Sequence, residues 1–204
     1  PSFDMFIAFA PEELIPVLEI YDNAGQIYFN AIVQGPTKGR LPFIDVNFGA
    51  KEAYLENSSV KKRVDRMGFI GHFTNREQRD LSTMEFSLID VFAKLDKGTF
   101  KGDVFVKNFD APEIEMTVDA DFELPFIVSF LNLEDVNDVQ GSVEMELAFH
   151  DIIDLENPEK SLQELNKAYF AELRVEDFAL SSTDLPADLK DLDIHLAMNG
   201  KEAQ

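Results

Sequence analysis

This 204-residue sequence predicts a mainly β fold: a long antiparallel meander curled into a groove-like sheet, with two or three short helices and an internal repeat. Three observations carry the prediction. Runs of alternating apolar and polar residues follow one another along the chain, and side chains alternate faces along a strand. No crossover helix separates most of these runs, which argues for antiparallel neighbours. One unit, made of strand, apolar plug, glycine and strand, occurs twice.

Taken in order, residues 3–10 (FDMFIAFA) read as a strand broken by Pro11. Residues 12–20 (EELIPVLEI) read as a short apolar helix whose first acids complement its dipole. A turn at 22–25 (DNAG) leads to a strand at 26–34 (QIYFNAIVQ). Further strands are expected at 41–48, at 53–56 and at 64–75 (VDRMGFIGHFTN), the last closed by a turn. Residues 83–95 and 99–110 form two more strands, joined at Asp96, Lys97 and Gly98 by a hairpin turn.

The clearest stretch follows. Ile114, Met116, Val118 and Ala120 alternate with Glu115, Thr117, Asp119 and Asp121. Val143, Met145, Leu147 and Phe149 alternate with Glu144, Glu146 and Ala148. Between them, residues 124–133 (LPFIVSFLNL) are apolar nearly all round and predict a short helix or a buried extended segment. A polar turn over 134–140 and Gly141 end it. Residues 156–166 (ENPEKSLQELN) read as a capped helical turn, and 171–180 and 192–198 as strands.

The repeat sets Gly25 on Gly141, 116 residues apart, and Tyr54 on Phe178 and Asn75 on Asn199, 124 apart. The difference is assigned to an insertion at 156–166. Residues 1–110 form a first repeat unit and 111–204 a second, incomplete one, within one continuous elongated β domain.

A hydrophobic content of 45% suffices for a core, and the absence of cysteine excludes disulfide and thiolate chemistry. The net charge of −21 is uneven: residues 1–102 carry 12 basic and 14 acidic side chains, residues 103–204 carry 6 and 25. Such a field disfavours nucleic acid and anionic membrane surfaces. No apolar run reaches the roughly 20 residues of a membrane-spanning helix. The N-terminus lacks the basic and apolar regions of a signal peptide. Opening on Pro1 rather than Met, the chain reads as part of a longer parent.

Chemistry-bearing patterns are few. His72, His150 and His195 have no metal-site spacing, and neither a nucleophile elbow, a P-loop nor a dinucleotide fingerprint occurs. Asp119, Asp121 and Glu123, and the acids of 134–138, offer oxygen ligands but lack the register of a calcium loop. With no Trp and four Tyr, the chain is poor in sugar-stacking platforms. No enzymatic role and no cofactor are therefore expected. Lys61, Lys62, Arg63 and Arg66, with Arg76 and Arg79 beyond, form the one basic island, suited to a phosphate headgroup or an acidic partner.

Four segments together resemble the repeat of AsmA-like proteins in the form found in Bacteroidetes: 41–48 (LPFIDVNF), 68–75 (GFIGHFTN), 94–112 (KLDKGTFKGDVFVKNFDAP) and 139–147 (VQGSVEMEL). The resemblance rests on pattern more than identity and spans nearly the whole chain. It implies a non-enzymatic periplasmic module, inner-membrane-anchored through a helix absent from this sequence, with neighbouring repeats in a longer chain. It also implies a curled sheet whose apolar groove carries phospholipid between membranes or maintains the outer membrane. The family offers no catalytic residues to carry over, and the acidity of the second half departs from its usual character.

Under that reading Ile114, Met116, Val118, Val143, Met145, Leu147 and Phe149, with Val104 and Val106, line the groove and meet phospholipid acyl chains. The alternative is a closed β-sandwich that serves as a structural or interaction module of an exported protein, with the same residues forming a dry core.

Overall fold

The computed structural model describes residues 20–36, 39, 41–133, 137–152, 170–181, 189–199 and 202–203. Nine long strands follow one another in chain order: β1 Tyr21–Gln34, β2 Phe43–Asn57, β3 Lys62–Thr74, β4 Glu85–Leu95, β5 Gly98–Lys107, β6 Glu113–Glu123, β7 Asn137–Ile152, β8 Phe170–Ser181 and β9 Leu189–Asn199. A two-residue strand, β10 Glu202–Ala203, pairs with the end of β9. Each long strand pairs antiparallel with its sequence neighbours in one sheet, and β1 does not pair with β9. The sheet is an open meander. Its one described α-helix, α1 Leu124–Phe130, joins β6 to β7, and a 3-10 turn at Leu81–Thr83 precedes β4. The other two expected helices, at 12–20 and 156–166, and the strand at 3–10 lie outside the described residues, apart from Ile20, which is in a turn.

Several expected boundaries move. Residues 22–25 are not a turn: β1 already runs from Tyr21 and accommodates Gly25 as a bulge, where the register with β2 shifts between Ala24 and Gln26. The segments expected as separate strands at 41–48 and 53–56 are one strand, β2, bent at Glu52. In each case a bulge breaks the alternation without ending the strand.

The bulges form a system. Glu52, Arg66, Asp90, Asp177 and Asp191 all have positive φ, between 49 and 53°. They fall where the ladder slips, between Ala50 and Ala53, Asp65 and Gly68, Leu88 and Val91, Val175 and Phe178, and Phe178 and Leu180 of the facing strand. Each slip keeps apolar side chains on one side: Leu88 and Val91, three residues apart, pair with Val104 and Gly102, two apart. Carboxylates satisfy freed amides across the strands, with Asp90 N–H donating to Asp103 Oδ1 at 2.8 Å and Asp177 N–H to Asp193 Oδ1 at 3.1 Å. Part of the acidic surface thus completes the backbone and is not merely solvated.

These slips recur with constant spacing. The β2–β3 pairs Ala50↔Phe69, Ala53↔Met67 and Leu55↔Val64 return in β8–β9 as Val175↔Ile194, Phe178↔Leu192 and Leu180↔Leu189, every residue displaced by 125. On β1 and β7 the displacement is 116: Gln26↔Lys51 becomes Ser142↔Glu176, and Ala24↔Tyr54 becomes Gln140↔Ala179. Ala179, not Phe178, is therefore the counterpart of Tyr54, so the insertion is nine residues rather than eight. Gly25 and Gly141 have φ of 154 and 116°. A Cβ on Gly25 would stand 2.5 Å from the Cα of Ala53, and one on Gly141 2.8 Å from the carbonyl oxygen of Glu176. Both positions need glycine for this close crossing.

Helix α1 shows that the sheet curls. It starts at the end of β6, with Pro125 in its first turn, yet its last residue contacts β1 and β2. The Tyr21 hydroxyl donates to the carbonyl oxygen of Phe130 at 3.0 Å, and Asn57 Nδ2 donates to the same oxygen at 2.8 Å. In a flat sheet β1 and β6 would lie five steps, about 24 Å, apart. A seven-residue helix spans only about 10.5 Å, so the strand ends must bend towards it. Tyr21, Val64, Ala93, Leu95, Phe126 and Phe130 form the buried cluster at this end.

Candidate functional site

Cross-strand register decides which side chains share a face. Phe86, Val106 and Ile114 form one row; Leu88, Val104, Met116 and Phe149 form the next. A third row runs through Val91, Gly102, Val118, Leu147, Ala171 and Met198. A fourth runs Ala93, Phe100, Ala120, Met145, Leu173 and Leu196, and a fifth joins Phe122, Val143, Val175 and Ile194. All nine residues singled out in the sequence, Val104, Val106, Ile114, Met116, Val118, Val143, Met145, Leu147 and Phe149, thus lie on one face. It is the face to which the α1 cluster belongs, since Ala93 and Leu95 are part of that cluster.

Burial on this face is graded. Val118, Ala120, Val143 and Val175 are buried; Val104, Val106, Ile114, Met116, Met145, Leu147 and Phe149 are half-buried. At the flanks the same face is open, with Phe29 41%, Ile194 45% and Val33 61% exposed. The extensive packing contacts of each strand are with its sequence neighbours, and α1 is the helix that packs on β3, β6 and β7. Among the described residues, no second sheet covers the rows. The result is an apolar trough, plugged at one end by Phe126 and Phe130, whose rings stack 5.9 Å apart.

Buried polar groups hold the plug and the opposite end of the sheet, and of these the sequence singled out only Asn75, as a repeat position. Asn57 and Thr74 are essentially fully buried, as is Asn75. Asn57 links the plug to the turn after β2, since its Oδ1 accepts Ser59 N–H at 3.1 Å. Burial also pushes the Tyr21 phenol above its ordinary pKa, so the hydroxyl stays a donor to Phe130. Asn75 clips the opposite end. Its Oδ1 accepts Ile44 N–H and its Nδ2 donates to the Pro42 carbonyl, both at 2.8 Å. The partners lie 73 and 109 residues away for the plug and about 30 for the clip, so no local signal marks them.

The basic island does not converge on one point. Lys61 lies exposed in the β2–β3 turn. Lys62, opposite Asn57, places its ammonium 6.0 Å from the Phe126 ring centre, beside the plug. Arg63 faces the other way, stacked 3.7 Å above the Tyr54 ring and ion-paired with Asp65. Arg66, at a bulge, lies 5.8 Å from the Phe92 ring centre. Lys62 is the member placed at the trough.

The opposite face exposes Tyr28, Ile32, Ile70 and Phe105 among polar residues over β1–β5 and is acidic from β6 onward. Asp119, Glu146 and Glu172 are direct cross-strand neighbours, flanked by Lys101, which reaches Asp119 at 3.3 Å. Asp121 accepts the Thr99 amide. The three histidines are on this side of the chemistry as well, each beside a carboxylate: His72 with Asp45 at 3.2 Å, His150 with Glu113 at 2.8 Å and His195 with Glu172 at 3.1 Å. The His195 hydrogen bond, with Arg174 nearby, holds the Glu172 carboxyl below its usual range.

Fold and site together define a class: an open, curled β meander that presents a plugged apolar trough on one face and, from β6 onward, acidic charge on the other. Comparison of the chain with protein-family models, with curated proteins and with solved structures yields no match.

Proposed function

We propose that this chain is a non-enzymatic module that shelters the acyl chains of phospholipid in the trough, as the resemblance to AsmA-like proteins implies, in the periplasm and within a longer anchored parent. The observation that supports this reading is the run of five apolar rows, buried at Val118, Ala120, Val143 and Val175 and half-buried or exposed around them, without a covering layer among the described residues. Each methylene sheltered there contributes roughly 0.8 kcal/mol. The headgroup stays in water, and Lys62, beside the plug, supplies a cation for its phosphate. The second reading, a dry structural or interaction module, requires another layer over these rows.

The test is native mass spectrometry after incubation with phosphatidylethanolamine vesicles. Under the proposal, lipid travels with the protein and is lost in Met116→Asp and Leu147→Asp while circular dichroism is unchanged. A protein that takes up no lipid, or variants that unfold because the face is a closed core, would overturn it.

A further inference from the structure

We propose that Arg79 binds the phosphate group of a ligand at the open end of the trough, opposite the plug. Among the described arginines, Arg63, Arg76 and Arg174 are ion-paired with Asp65, Glu85 and Glu172, and Arg66 lies beside the Phe92 ring. Arg79 has no carboxylate or ring partner among the described residues, and its Nε, shielded from water, has no acceptor there. Acidic side chains outnumber lysines and arginines 39 to 18, so a shortage of carboxylates does not explain this. Asp80, its neighbour in sequence, accepts the Ser82 and Thr83 hydroxyls, and residues 35–42 (GPTKGRLP) contain no acid.

The fold holds Arg79 in place. It sits in the β3–β4 connection with φ of 60°, and its amide donates to the Asn75 carbonyl oxygen at 3.0 Å. The Thr83 hydroxyl donates to the same oxygen at 3.0 Å, and Asn75 is itself clipped to Ile44 and Pro42. A left-handed backbone at a residue other than glycine persists where its surroundings over-determine it. The guanidinium lies against the end of β1: a Cβ on Gly35 would stand 3.0 Å from Nη1 of Arg79 and 3.1 Å from the Cα of Pro42. Glycine at 35 leaves room for it. A shielded donor without an acceptor destabilises the fold, so the side chain is held, at a cost, where no described group uses it.

Its place in the sheet points to the ligand. Phe73, Val46 and Ala31 extend the first apolar row from Phe86 to β1, and Ile44 and Val33 form the next pair on the same face. Val33 is 61% exposed, and Gly35 follows two residues later. The trough face therefore runs out beside Arg79, while Lys62 stands beside the plug at the other end of the strands. A guanidinium presents paired N–H donors in one plane, matched to two oxygens of a phosphate, where an ammonium offers a point charge. A phosphate ester at the end of acyl chains fits this arrangement, and so does free phosphate. The lipid source rests on the trough reading; the oxyanion site does not.

The test follows the arginine Nε–Hε signals and the Ile, Leu and Val methyl signals of the isotope-labelled full chain by NMR. The probes are dihexanoyl phosphatidic acid, dihexanoylglycerol, which lacks the phosphate, and inorganic phosphate. The phosphatidic acid is expected to move the Arg79 signal and the trough methyls together, and Arg79→Gln to raise its Kd about tenfold through the loss of one charge-assisted contact. Dihexanoylglycerol should move the methyls alone, with the same Kd in both proteins, which separates a lost contact from a damaged fold. Inorganic phosphate that moves the Arg79 signal at the same concentration as the lipid would keep the oxyanion site and assign it to free phosphate. Methyls that respond to the phosphatidic acid while the Arg79 signal stays fixed, or an unchanged Kd in Arg79→Gln, would overturn the proposal and leave the trough reading standing. An Arg79 signal that moves with phosphate while neither lipid moves the methyls would sustain the site and overturn the trough reading. No response to any probe would overturn both.

Discussion

The Phe130 carbonyl is the point on which the curl of the sheet hangs, and a double-mutant cycle can weigh it. It accepts from Tyr21 at 3.0 Å and from Asn57 at 2.8 Å, at the closed end of the trough. Tyr21→Phe removes one donor and leaves the other, so its cost is that of one net hydrogen bond, about 1 kcal/mol. Asn57→Ala removes the second donor and also the acceptor for Ser59 N–H, about 1–2 kcal/mol, with Tyr21 still serving the carbonyl. The double variant leaves that carbonyl without either donor inside a buried aromatic cluster, and an unsatisfied buried acceptor costs a further ~1–3 kcal/mol. Urea unfolding of the four proteins should therefore show coupling of at least about 1 kcal/mol beyond the sum of the single losses. Additivity within about 0.5 kcal/mol would refute the reasoning, because it would mean that the two strands do not share the helix terminus as an anchor.

Further outcomes follow from single contacts. Gly141→Ala forces a side chain into φ of 116° and against the Glu176 carbonyl, and is expected to lower stability by about 1–3 kcal/mol in thermal unfolding; an unchanged Tm would remove the bulge from the account. Asp103→Ala strips the acceptor from the Asp90 amide, whose hydrogen exchange should quicken up to about tenfold while amides of β6 hold their rates. Glu172 should titrate below the roughly 4.3 of an ordinary glutamate, and His195→Ala should raise its midpoint in a carbon-detected NMR titration. Because the folded pKa is the lower one, the stability this carboxylate contributes is present above the unfolded value and is lost as pH falls through the folded one. A midpoint unmoved by His195→Ala would show that the hydrogen bond does not hold the charge.

Much of the architecture was legible because β periodicity is short-range. The alternation at 114–121 and 143–149 placed β6 and β7 and put seven of the nine trough residues on one face, which Val104 and Val106 of β5 join, and the apolar plug became α1. What escaped was encoded by interruption. In β4 the apolar series Phe86, Leu88 gives way to Val91, Ala93, Leu95, a shift of phase at Ile89 and Asp90 that signals a bulge. The same shift in β2, after Ala50, looked like the end of one strand and the start of another. Aligning the phase shifts rather than the aromatic residues would have given the spacing of 125. Asn57, Asn75 and Tyr21 carry no local pattern at all, since their partners are set by which strand ends the curl brings together. The basic island was contiguous in sequence, but alternation sends Lys62 to the trough and Arg63 to the opposite face.

The central claim, that acyl chains lie on one face of the sheet, can be tested with two single-cysteine variants of this cysteine-free chain. Leu147 is in the third apolar row and Ala148, beside it, points to the polar face opposite Thr117. With a bimane label on Leu147→Cys or Ala148→Cys, phospholipid brominated in its acyl chains should quench the first strongly and the second little. Equal quenching at both positions, or none at 147, would contradict the account.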